Sequence, residues 1–118
     1  MKDEDKLKFH MKLRLYRRER DFGPGVTALM ELVKEKGSLS AATKEMGMAY
    51  SKAWKIIKHA EEDLGITLME GRSGGNSGGG TVLTKEGEEL LTKYQQFTKE
   101  SQIEAEKIFK RIFADFDS

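Results

Sequence analysis

Lys52, Lys55 and Lys58 recur at intervals of three residues and are interleaved with Tyr50, Ser51 and Trp54. At that interval they would crowd onto one surface of a helix. Lys52 and Lys55 could reach guanine acceptors or phosphate oxygens, and Ser51 and Tyr50 suit phosphate or base contacts. Trp54 fits two roles equally: a contact with nucleic acid, or packing beside the first helix. Taken alone, lysines 52, 55 and 58 are more often a solvated helix face. A second set lies downstream, where Arg72-Ser-Gly-Gly-Asn-Ser-Gly-Gly-Gly80 carries five glycines in its last seven residues. Such a loop lets backbone N–H groups, Asn76 and its serines approach phosphates closely, with Arg72 supplying charge at its base. The same composition describes a flexible linker. A nucleotide-cradling loop does not fit, because neither Lys-Ser nor Lys-Thr follows Gly80.

The elements that must position these residues decide between the readings. Gly37 to Gly65 reads as two short helices around a tight turn at Gly47: one from about Ser40 to Met46, with Ser38 or Ser40 as N-cap, and one from about Tyr50 to Leu64. Ala41, Ala42 and Thr43 are small where the two must approach. Ala53, Ile56, Ile57 and Ala60 supply an inner face for the second, whose first turns, from Ala49 onward, would enter a major groove. Residues 66–84 then give a short apolar strand, the glycine loop and a second strand, which is how a wing reads. The wing and the Gly47 turn together reverse the solvated-face reading of the lysines.

Upstream, Phe9, Met11, Leu13 and Leu15 alternate with His10, Lys12, Arg14 and Tyr16, predicting a strand with one buried face, followed by a polar loop over residues 17–23. Pro24 suits a first helical position, and a helix to about Lys36 buries Val26, Leu29, Met30 and Val33. Thr84 reads as the N-cap of a helix running from Lys85 towards Phe116, with Glu86, Glu88 and Glu89 favourably set against its dipole. Leu90, Leu91, Tyr94, Phe97, Ile108 and Ile112 are more apolar surface than one small domain can cover, so this reads as a dimerisation helix. The expected fold is mainly α with a small β wing: a winged helix-turn-helix over residues 1–84, and a long C-terminal dimerisation helix over residues 85–118.

With 118 residues, 35% of them charged and a net charge of +1, the chain is no polybasic binder, and a duplex-binding face must arise from local segregation. Residues 1–20 hold eight Lys or Arg against four acids. The absence of cysteine excludes a disulfide framework and thiolate metal sites and fits a cytoplasmic location. No apolar run approaches the ~20 residues of a membrane span. His59 and Glu62 share a helix face, but without a third ligand they read as a surface pair. No catalytic triad or carboxylate pair stands out, so no enzyme, cofactor or metal is expected. The alternative is a winged helix used only for protein interaction, which the near-zero charge and Glu61-Glu62-Asp63 would suit.

Gly37-Ser38-Leu39-Ser40-Ala41-Ala42, Ala53-Trp54 with Ile57, and Arg72 with the glycine loop and Val82-Leu83-Thr84 resemble the N-terminal domain of ModE-type molybdate-responsive transcriptional regulators. More distantly, the chain is similar to LysR-type DNA-binding domains, whose wing also ends in Leu-Thr before a long helix. The resemblance covers about residues 8–100. It implies a homodimer that binds palindromic double-stranded DNA, and a possible part in molybdate or oxyanion-related gene control. The match places Ser38, Ser40, Ala49, Tyr50, Ser51, Lys52, Lys55 and Arg72 in the DNA-facing region, to which the helix and wing residues themselves add Trp54, Lys58 and Asn76. Residues 101–118 supply no fold for an oxyanion, so direct sensing is not expected: the chain acts alone, works with a separate sensor protein, or is part of a longer one.

Overall fold

The computed structural model describes residues 2–19, 21–72 and 80–117. Pro24 opens helix α1 (Pro24–Lys36), and Val26, Leu29, Met30 and Val33 fall on its buried face. Helix α2 (Leu39–Met46) begins at Ser38, whose side-chain oxygen accepts the Ala41 N–H at 3.0 Å. Gly47 ends it at φ 67°, a left-handed conformation that a side chain would strain. Helix α3 (Tyr50–Leu64) follows at once, with Ala53, Ile57 and Ala60 buried. Ala42 is fully buried at the close crossing of α1 and α2 with α3, as its small size requires.

Strands β1 (Met69–Arg72) and β2 (Gly80–Leu83) pair antiparallel, Met69 opposite Leu83 and Arg72 opposite Gly80. Two hydrogen bonds fasten this wing to the α1–α2 turn: Thr81 N–H donates to the Gly37 carbonyl at 2.9 Å, and Leu39 N–H donates to Thr81 Oγ1 at 3.1 Å. Thr84 then caps helix α4 (Lys85–Ile112), its Oγ1 accepting the Gly87 N–H at 2.9 Å. Gly87 lies so close to the backbone at Leu68 that a Cβ would overlap the Leu68 carbonyl oxygen.

The core gathers Phe22, α1, Leu39 and Ala42 of α2, the inner face of α3, Leu68, Met69, and Leu91 and Tyr94 of α4. The start of α4 is thus built into the winged body. At 28 residues it is about 42 Å long, so its distal half extends beyond that body. Two expectations are corrected. The helix ends at Ile112 rather than near Phe116, and residues 113–117 form a turn. Residues 9–16 are extended and bury alternate side chains partly, but they form no strand; their one bridge pairs Leu15 with Phe22. The segment lies along α4, whose backbone groups are engaged within the helix, so no ladder can form. It is held by side chains instead: Tyr94 Oη donates to the Leu13 carbonyl at 2.7 Å, and the Phe9 and Phe109 rings sit 5.0 Å apart.

Candidate nucleic-acid interface

Burial of Ala53, Ile57 and Ala60 turns the opposite side of α3 outward. Tyr50, Ser51, Lys52, Trp54 and Lys55 are all exposed, as is Ala49 at the N-cap position. Trp54 is 49% exposed and Tyr50 is 53% exposed, so the indole is not buried beside α1. The surface has two flanks. Tyr50, Trp54 and Lys58 line a cleft closed on its far side by Glu70, Gly71 and Arg72 of β1 and by Gly80 and Thr81 of β2. Ser51, Lys52, Lys55 and His59 line the other flank, beside Asp21. Among the described residues, no ion pair engages Lys52, Lys55 or Arg72, so these cations are open to an external anion.

The wing supplies the second part of the surface. Arg72 is exposed, and its guanidinium lies near Gly37 and Gly80, where the wing meets the α1–α2 turn. Ser40 is exposed in the first turn of α2, whereas Ser38 is half-buried with its oxygen engaged as the cap. Asn76 lies outside the described residues. Helix and wing therefore present one cationic, hydroxyl-bearing face, the wing half fixed to the α1–α2 turn through Gly37 and Thr81.

Sequence reasoning missed what the acids beside this face do. Glu61 Oε2 accepts the Leu68 N–H at 2.7 Å, and Oε1 pairs with Lys58 Nζ at 3.1 Å. Asp63 accepts three backbone N–H groups, from Arg17 at 2.9 Å, Arg18 at 2.8 Å and Glu19 at 2.9 Å. Those hydrogen bonds, the one from Arg17 foremost, hold its carboxyl below the usual carboxylate range. Two acids of the Glu61-Glu62-Asp63 run are thus engaged internally, not offered to a partner. The three-residue step from Lys58 to Glu61 could have signalled the ion pair. Nothing local links Asp63 to residues 17–19. Among the described residues, no group of three His, Asp or Glu converges to hold a metal.

The dimer residues expected on α4 divide. Leu91 and Tyr94, expected at a dimer interface, are instead buried in the protomer's own core. Tyr94 packs edge-on against Phe22 at 5.4 Å. Leu90 is half-buried against the core, while Phe97, Ile108 and Ile112 are exposed.

Two packed helices about a glycine turn, an outward cationic second helix and a two-stranded wing define the winged helix-turn-helix class of DNA-binding proteins. Residues 27–88, more than half of the chain, match the bacterial regulatory helix-turn-helix protein, lysR family. The chain belongs to that family. It is 37% identical over 67 residues to the molybdenum-pterin-binding protein MopB of Rhodobacter capsulatus, covering 57% of this chain and 25% of that protein. It is 34% identical over 71 residues to the DNA-binding transcriptional dual regulator ModE of Escherichia coli, covering 60% and 27% respectively. Against the molybdenum transport protein ModE of Azotobacter vinelandii, identity is 29% over 84 residues, 71% of this chain and 31% of that protein. The matched region thus spans about a quarter of the length of the first two relatives. No helix among the described residues is long and apolar enough to cross a membrane.

Proposed function

We propose that this chain is a DNA-binding transcriptional regulator and acts as a symmetric homodimer on palindromic operator DNA, with α4 against α4 and one α3 in each of two successive major grooves. The observation that carries this reading is the apolar stripe on α4. Phe97 and Ile108, about three helical turns apart, share a face with Leu90, and Phe97, Ile108 and Ile112 are 49%, 48% and 59% exposed. A stripe of that kind on a helix extending beyond its own body is suited to a matching stripe on a second copy. Two-fold symmetry would then set half-sites about 34–36 Å apart, one duplex turn. Residues 1–84 serve in this reading as the DNA-binding unit, and residues 85–118 as the dimerising one.

The duplex contacts fall to Ser40, Ala49, Tyr50, Ser51, Lys52, Trp54, Lys55 and Arg72 on the exposed face, with Ser38 at its edge. Relatives named for molybdenum transport and molybdenum-pterin binding support target genes concerned with molybdate uptake or molybdoenzymes. Light scattering on the purified chain should give twice the 13.4 kDa protomer mass. Selection of bound genomic fragments should return inverted repeats near such genes. A protomer mass at concentrations that bind DNA, or selected fragments without an inverted repeat, overturns the dimeric reading; repeats near unrelated genes overturn only the molybdate assignment.

A further inference from the structure

Lys58 lies on the DNA-facing side of α3, yet it is not free. Its Nζ is 3.1 Å from Oε1 of Glu61 and 5.5 Å from the centroid of the Trp54 ring. The Glu61 side chain is 10% exposed, and its second oxygen accepts the N–H groups of Leu68 at 2.7 Å and Met69 at 3.4 Å. Met69 forms the first rung of the wing. A carboxylate buried to that extent requires a counter-charge, and breaking such a pair leaves an uncompensated charge. Lys58 supplies the positive partner, and the indole face adds a cation–π hold on the same ammonium. Lys52 and Lys55 have no comparable partner among the described residues.

We infer that Glu61 is a positioning residue for duplex recognition, which withholds Lys58 from the phosphates and fixes the Trp54–Lys58 pair in the cleft facing the wing. One oxygen sets β1 against α3, and the other sets the ammonium against the indole. The duplex then meets the Trp54 indole in this cleft and draws its phosphate contacts from Lys52, Lys55 and Arg72. Holding one cation back lowers sequence-independent affinity without touching base-edge contacts, so Glu61 raises discrimination between operator and bulk DNA. The inference rests on the proposed DNA-binding function and adds a division of labour among the three lysines.

The test is the salt dependence of binding to a random-sequence duplex, read by fluorescence anisotropy between about 50 and 200 mM salt, where each phosphate contact contributes roughly 0.9 to the log–log slope. Lys58→Ala should keep the wild-type slope. Glu61→Gln keeps an acceptor for the Leu68 N–H but removes the charge that holds Lys58. It should steepen the slope by about 0.9, and adding Lys58→Ala should restore the wild-type value. A merely structural Glu61 would instead weaken binding in the Gln variant without steepening it, which overturns the inference. Should either single variant fail to fold by circular dichroism, the Glu61→Gln, Lys58→Ala double variant, which leaves no unpaired charge, decides: a wild-type slope supports the inference, and a slope shallower by about 0.9 overturns it. A wild-type protein that leaves the duplex unbound at the lowest salt overturns the DNA-binding reading as well, whereas wild-type binding with the slopes in the wrong order overturns this inference alone.

Discussion

Lys55 and Lys58 stand three residues apart on one helix and differ chemically because of what surrounds them. Lys58 faces a partly buried carboxylate, while Lys55 faces solvent on the flank beside Asp21. Lys55→Ala is therefore expected to flatten the salt dependence of DNA binding by roughly 0.9 in log–log slope, and Arg72→Ala by a similar amount. Unchanged slopes for both would take them off the phosphate-contact surface. Asp63 yields a prediction in pH. Three N–H donors favour its charged form and lower its pKa from the usual 3.8. A carboxyl depressed on folding stabilises the protein above its unfolded pKa, and that contribution is lost as pH falls through the lower folded value. The urea midpoint of Asp63→Asn should lie below wild type by a constant amount near neutrality, and the gap should close below pH 3.8. A gap that persists at the acid end would separate the hydrogen bonds to residues 17–19 from the Asp63 charge.

Among the elements, those with strong local signals were legible beforehand. Pro24, Ser38, Gly47, Gly65 and Thr84 mark helix starts and stops where the structure has them, because capping and positive φ are decided within a few residues. The expected strand over residues 9–16 was not realised, since alternation reports a buried face but not what buries it. The helix lying under that face offers no backbone partners. Gly87 shows the same limit. Alanine is favoured over glycine within a helix by about 1 kcal/mol, so propensity alone makes Gly87→Ala stabilising. The structure reverses the sign, because the added methyl would overlap the Leu68 backbone, which cannot rotate away as a side chain can. We expect a net loss of about 1–3 kcal/mol by denaturant titration. A variant as stable as wild type would mean that α4 and the wing base can separate at little cost.

At the scale of the whole molecule, α4 belongs to two environments. Its first turns complete the core through Gly87, Leu91 and Tyr94, and further along it Phe97, Ile108 and Ile112 face outward. Burying a side chain of that size contributes roughly 1.5–3 kcal/mol. Phe97 is 49% exposed and a symmetric dimer buries two copies of that exposed half, so Phe97→Ala should weaken self-association about 10- to 100-fold in sedimentation equilibrium. Tyr94→Ala should act mainly on folding, through the core. Equal association constants for Phe97→Ala and wild type would place any interface elsewhere. The sequence by itself determined the order of helices, turn and wing and the outward cations of α3, since those follow from caps, glycines and the period of apolar residues. Only the tertiary structure decided which apolar residues of α4 are consumed within the protomer, that residues 9–16 lean on a helix, and that Glu61 and Asp63 tie distant backbone. Each of those outcomes depends on which surfaces meet across tens of residues, and short-range patterns carry no record of that.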